Sequence, residues 1–141
     1  MNRFVDPRVL GYTTLRLAIG VTMLVHGTNR ITAIPNFIGQ VTPMFSKTSL
    51  PHFALVGYGS ILPPLELLIG LLVTLGLFTR FGLTLGGLWM VTLIFGSTLI
   101  EKYDVVGVQL IYAIIYFLLL FHIDLNLIAV DAWLQRGQRT L

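Results

Sequence analysis

Residues 81–100 read FGLTLGGLWMVTLIFGSTLI, twenty positions without one charged side chain. A helix needs about 20 mainly apolar residues to cross a bilayer's hydrocarbon layer, so this stretch by itself predicts a transmembrane helix. Outward from it, VVGVQLIYAIIYFLLLF at 105–121 is charge-free over seventeen residues. Val9–Asn29 is interrupted only by Arg16, and Phe53–Thr79 only by Glu66. The chain therefore reads as four spans near 9–29, 54–79, 81–100 and 105–123. The expected architecture is an all-α integral membrane protein, a four-transmembrane-helix bundle forming a single membrane domain over 1–141.

Composition agrees. Of 141 residues, 55% are hydrophobic and 11% charged, against roughly 45–50% and about 25% in soluble domains. The mean hydropathy is +0.86. These values exclude a water-soluble enzyme, a disordered tail and a nucleic-acid-binding module. Nine Lys and Arg face six Asp and Glu, but the basic residues are scattered singly and leave no footprint for nucleic acid. With no cysteine, structural disulfides, thiolate metal sites, iron–sulfur clusters and CxxC redox chemistry are all removed. No A-x-A-like site follows the first span, which is expected to stay as a span rather than be cleaved as a signal peptide.

The connections carry weaker signals. In the outer 31–53 loop, Phe37, Val41, Met44 and Phe45 fall on one amphipathic face suited to an interfacial helix; Pro35 and Pro43 keep it short. Pro63-Pro64 in the second span removes two backbone donors and predicts a kink or a restart there. The C-terminal tail repeats the interfacial pattern. Leu125, Ile128, Ala129, Ala132 and Trp133 line one face, with Asp124, Asp131 and Gln135 turned away from it.

Glu66 is the most informative residue. A carboxylate in mid-span costs at least about 2.5 kcal/mol on insertion scales and normally faces the bundle interior with a partner. It handles a proton or ligand, or it forms a structural pair with Arg16 or His26. Counted from the span ends, Arg16, Glu66 and His26 lie roughly 10, 20 and 25 Å from one face of the membrane. They form a candidate buried polar cluster and possible ligand site, although Arg16 is also able to snorkel to the interface. His26 and His122 fall near opposite faces, so no haem is expected between them within one chain. Gln109, Tyr112 and Tyr116 form a stripe that lines a polar pocket or bonds between helices. Gly82 and Gly86 form a G-x-x-x-G pair for helix packing. No metal site and no covalently bound cofactor is expected.

The run Leu15-Arg16-Leu17-Ala18-Ile19-Gly20, followed by His26-Gly27, resembles the first helix of the DoxX family of small bacterial membrane proteins. So do Pro64-Leu65-Glu66-Leu67-Leu68-Ile69-Gly70, Leu75-Gly76-Leu77-Phe78-Thr79-Arg80, and the tail around Ile128-Ala129-Val130-Asp131. The resemblance implies a four-helix bundle associated with quinol oxidases, thiosulfate:quinone oxidoreductases or other membrane redox assemblies. The missing cysteines speak against its disulfide-linked branch. On this basis the chain reads as a small non-catalytic membrane subunit of a respiratory, quinone-linked electron-transfer complex. Its expected partners are other subunits and lipids, and its expected ligand a quinone or lipid. The alternative is a free-standing membrane enzyme or binder of such a lipophile around Glu66 and His26. A transporter fits less well, since no inverted repeat is visible.

Orientation follows from Lys and Arg placement. One side holds Arg3, Arg8, Arg80, Arg136 and Arg139; the other holds Arg30, Lys47 and Lys102. Both termini are therefore expected on the cytoplasmic side of a bacterial inner membrane. A cysteine introduced at Lys47 should react with an impermeant thiol reagent in intact cells, while terminal tags stay protected from outside proteases. Protection at position 47 would reverse the orientation.

Overall fold

The computed structural model describes residues 6–138 and is helical throughout its ordered elements. Six α-helices follow one another: α1 Pro7–Ile31, α2 Ile34–Val41, α3 His52–Leu75, α4 Thr79–Leu99, α5 Tyr103–Phe121 and α6 Val130–Gln138. Single 3₁₀ turns follow α2 at Thr42–Phe45 and α5 at Ile123–Leu125. Helices α1, α3, α4 and α5 are long and apolar enough to cross a membrane. The chain is a four-span membrane protein. Arg3 and Arg139, used above for orientation, lie outside the described residues.

The start of α1 is fixed locally. Asp6 Oδ1 accepts from the Arg8 amide at 2.9 Å and Pro7 opens the helix, which satisfies an orphan donor and presets φ. Then α1 packs antiparallel on α3 through glycines. A methyl at Gly27 would fall on the backbone of Leu67, one at Gly70 on that of Leu24, and one at Gly20 on Thr74. With no side chain between them the two backbones touch, the close approach that drives helix association in lipid, where apolar area alone gives no preference. The sequence reading had placed small-residue packing at Gly82 and Gly86. Those glycines do pack, but on two different neighbours: Gly82 on Leu72 and Val73 of α3, Gly86 on the ring of Tyr116 in α5.

Helix α3 runs unbroken through Pro63 and Pro64, so the restart that the proline pair suggested does not occur. Prolines are tolerated inside spans where neighbouring groups re-satisfy the backbone they leave unpaired. The helix ends at Gly76, whose φ of 65° is left-handed. The Leu77 amide bonds Leu72 O at 3.0 Å and the Gly76 amide bonds Val73 O at 3.3 Å, a Schellman ending that only glycine adopts without strain. The turn then enters α4 immediately.

The core joins Tyr12, Ile19, Met23, Leu62, Ile69, Val73, Leu83, Trp89, Met90, Tyr116 and Leu119. In the tail, the expected continuous interfacial face is corrected. Residues 124–129 are not part of α6, so the helical spacing that assigned Asp131 to the outward side does not hold there. Asp131 instead turns inward to the α3–α4 junction. Trp133 is 73% exposed, as a membrane-interface residue would be.

If backbone contact holds α1 on α3, Gly70→Ala should destabilise the detergent-solubilised protein by about 1–3 kcal/mol, the usual cost of overpacking. Gly11→Ala, where nothing lies within 4 Å of the new methyl, should leave the melting temperature unchanged or slightly raised. Equal melting of both variants would remove the close-contact account.

Candidate functional site

Glu66 is 3% exposed and lies on α3 facing the bundle interior. Its partner is Arg30, whose Nη1 donates to both carboxylate oxygens at 2.6 Å. This is the one ion pair among the described residues. The Arg30 guanidinium also stands 5.1 Å above the ring of Phe37 in α2, a cation–π contact. Neither Arg16 nor His26 meets Glu66. The α1–α3 register explains this. Gly27 opposite Leu67 and Leu24 opposite Gly70 bring Arg30 level with Pro64, within about 3 Å of Glu66 along the axis.

His26 comes to nearly the same depth but one residue round from Gly27, about 100° off the interface. It is exposed on the outer side of α1. Arg16 falls level with Phe78, about 18 Å along the helices from Glu66. The anticipated cluster of Arg16, His26 and Glu66 is thus corrected to Arg30 and Glu66 alone. The span was expected to end at Asn29; α1 runs on to Ile31, and Arg30, still 31% exposed, reaches Glu66 from the edge of the bundle.

Two buried donors lie at or near the level of Glu66 along the bundle. From Gly82 against Val73, seven residues along α4 and seven back along α3 bring Trp89 and Glu66 to one level. Trp89 is 8% exposed, its indole N–H has no partner, and its ring stacks on Tyr58 at 5.2 Å. Tyr58 in turn bonds Thr92 at 2.8 Å. Tyr116, 2% exposed, presses its ring against Gly86, and its hydroxyl also lacks a partner. The arrangement is one ion pair, a Tyr58–Trp89 stack and two buried hydrogen-bond donors without partners among the described residues. Of the stripe first read on α5, Tyr112 is half-buried against the core. Gln109 donates from Nε2 to Ser97 Oγ at 3.0 Å, an interhelical bond.

Arg16 anchors the opposite end. It is 3% exposed, so it does not snorkel. Nη1 donates to Val73 O at 3.1 Å and Thr74 O at 3.4 Å, and Nη2 to Ile128 O at 2.8 Å. A cation thus sits on the C-terminal carbonyls of α3, where the helix dipole favours it. Tyr12 Oη, Arg16 Nε and Thr74 Oγ1 lack partners in the same region. Beside them Asp131 caps α4 from far along the chain. Its carboxylate accepts from the Phe78 amide at 2.8 Å and from the Thr79 amide and hydroxyl at 2.7 Å each. Asn126 adds a bond to Thr79 Oγ1 at 2.9 Å, and the Asp131 amide reaches Gly76 O at 3.0 Å. Sequence reading missed Arg30 and Asp131. Arg30 was traceable from the likelihood of α1 continuing past Asn29; nothing local marked Asp131 as a cap. Arg80 is exposed at the start of α4, and no group of three His, Asp or Glu among the described residues is placed to hold a metal ion.

The pair is testable by a double-mutant cycle. Arg30→Met should destabilise the protein strongly by stranding a buried carboxylate, and Arg30→Met with Glu66→Leu should recover part of the loss. Thermal unfolding in one detergent measures the coupling. A value below about 0.5 kcal/mol would mean the two charges are energetically independent.

The signature of these elements extends beyond the site. No curated protein and no solved structure matches the chain. The DoxX family model matches residues 11–98, from the first turns of α1 almost to the end of α4. The matched stretch contains Arg16, Arg30, Glu66, Trp89 and the Gly76–Thr79 turn, whereas Tyr116 and the docked tail at Ile128–Asp131 lie beyond it. The match covers more than half of the sequence, and the chain belongs to the DoxX family.

Proposed function

We propose that this chain is a small non-catalytic subunit of a respiratory, quinone-linked electron-transfer complex, lending interior groups to a quinone site. The observation that carries the reading is the pair of buried donors, Tyr116 Oη and Trp89 Nε1, left without partners near the level of Glu66 along the bundle. An unsatisfied buried donor costs about 1–3 kcal/mol, so such groups in a native protein call for a partner. A quinone carbonyl is an acceptor carried on an apolar ring, and the Tyr58–Trp89 stack is a surface of matching character. When bound, a quinone would supply two-electron, two-proton redox chemistry to the complex. Tyr116 and Trp89 would donate to it, and the Arg30–Glu66 pair would hold the local charge near zero. Electrons would come from other subunits, since the chain has no cysteine. His26 and His122 sit at opposite ends of the bundle, which supports the absence of a shared haem.

The placement that fits is the bacterial inner membrane with both termini cytoplasmic. Arg30 is tied to Glu66, which leaves Lys47 and Lys102 as the unpaired basic residues described on the outer side and deepens the basic bias of the terminal side. The rival, a free-standing binder around Glu66 and His26, loses its second residue because His26 faces outward.

Native-membrane purification without crosslinking, followed by native mass spectrometry, tests the reading. Redox subunits should co-purify in fixed ratio, with quinone in the lipophile extract and no Soret band from this chain purified alone. Tyr116→Phe should keep the fold and reduce retained quinone; Glu66→Gln should lower activity of the host complex without lowering its abundance. A lone homo-oligomer would sink the subunit role, and unchanged quinone in Tyr116→Phe and Trp89→Phe would sink the site.

A further inference from the structure

Where α4 begins and α6 lies beside it, a cleft of about 830 Å³ opens on the side of the bundle that carries both ends of the described chain. Phe78, Phe81 and Leu134 line it and are largely exposed. Arg80 and Asp124 line it too, both exposed, and neither takes part in an ion pair among the described residues. The other acidic group in the wall, Asp131, is already saturated by Phe78 and Thr79 and offset by the buried Arg16 nearby. Among the described lining residues, what remains available to a ligand is therefore one cation and one anion set in the same concavity and not paired with each other, with apolar side chains around them.

The position along the spans decides what occupies it. Arg80 is the second residue of α4 and Asp124 follows the last turn of α5, so the cleft opens at the level of lipid headgroups, with Trp133 exposed on the neighbouring helix. A purely anionic headgroup would meet Arg80 but be repelled by Asp124. A simple cation would meet the reverse. A molecule with a phosphate and an ammonium a short spacer apart satisfies both at once, and its acyl chains would run along Phe78, Phe81 and Leu134. Asp124 further favours a primary ammonium over a quaternary one, because only the former donates hydrogen bonds to a carboxylate. From this charge complementarity we infer that the cleft is a specific site for an aminophospholipid of the phosphatidylethanolamine class, with Arg80 on the phosphate and Asp124 on the ammonium. The site is separate from the Glu66 interior and does not rest on the quinone reading.

The test uses the full chain in detergent, offered equimolar phosphatidylethanolamine, phosphatidylcholine and phosphatidylglycerol of matched acyl chains and read by native mass spectrometry. The wild type should retain phosphatidylethanolamine preferentially. Asp124→Asn should bring it down to the level of phosphatidylcholine. Arg80→Gln should lower phosphatidylethanolamine retention about fivefold, the factor given by ~1 kcal/mol per interfacial charge. Because both side chains are exposed, neither variant should shift the melting temperature, which separates loss of the site from loss of the tail's docking. Equal retention of the three lipids by the wild type, or the same preference in Asp124→Asn, would overturn the proposal. So would a dimer whose abundance falls in either variant, since the cleft would then be an interface between copies.

Discussion

The contact of α1 with α3, backbone against backbone at Gly20, Gly27 and Gly70, is the constraint on which the rest of the molecule depends. In lipid there is no hydrophobic gain from hiding leucine against leucine, so van der Waals contact at small residues has to set the register. Once it is set, both polar sites on this helix pair are determined. Arg30 comes level with the turn before Glu66, and Arg16 comes level with the end of α3. One interface thereby places a cation over a buried carboxylate at one end and a cation over orphan carbonyls at the other.

The second constraint is the short turn from α3 to α4. A left-handed glycine ends one helix, Phe78 at φ 46° precedes the next, and no residue between them supplies a cap. The amides at the start of α4 are met instead by Asp131, more than fifty residues further on. The same tail segment gives Arg16 an acceptor at Ile128. Without the docked tail, the amides of α4 and one arm of Arg16 would face the membrane boundary unpaired. The tail therefore acts on two spans at once, and its few hydrogen bonds matter beyond their number because they close both.

The spans were legible in the sequence because hydropathy over about 20 residues is a strong, one-dimensional signal, and the buried status of Glu66 followed from the cost of a charge at that depth. The residue's partner was not. Depth can be counted along a helix, but azimuth depends on which face packs, and that was decided by glycines read as family features rather than as the α1–α3 interface. His26 had the right depth and the wrong face. Arg30 had the right face and lay one residue beyond the assumed end of the span. Asp131 was hidden for another reason: a cap supplied across the fold leaves no local pattern, and the tail's apparent amphipathic spacing pointed the carboxylate outward.

Satisfying Glu66 draws Arg30, still 31% exposed, partly out of the water at the outer boundary. A structural need for a polar group there would be met more cheaply, since replacing a buried ion pair by apolar side chains of similar volume is often neutral or stabilising. The pair also does not set the register, which the glycines already fix. Stability therefore gives no reason for a carboxylate at position 66. Its surroundings give a different one: a pair with no net charge keeps a strong local dipole in a low-dielectric interior, where such a dipole acts over greater distances than in water. Trp89 and Tyr116, packed at nearby levels of the bundle, keep their own donors uncommitted.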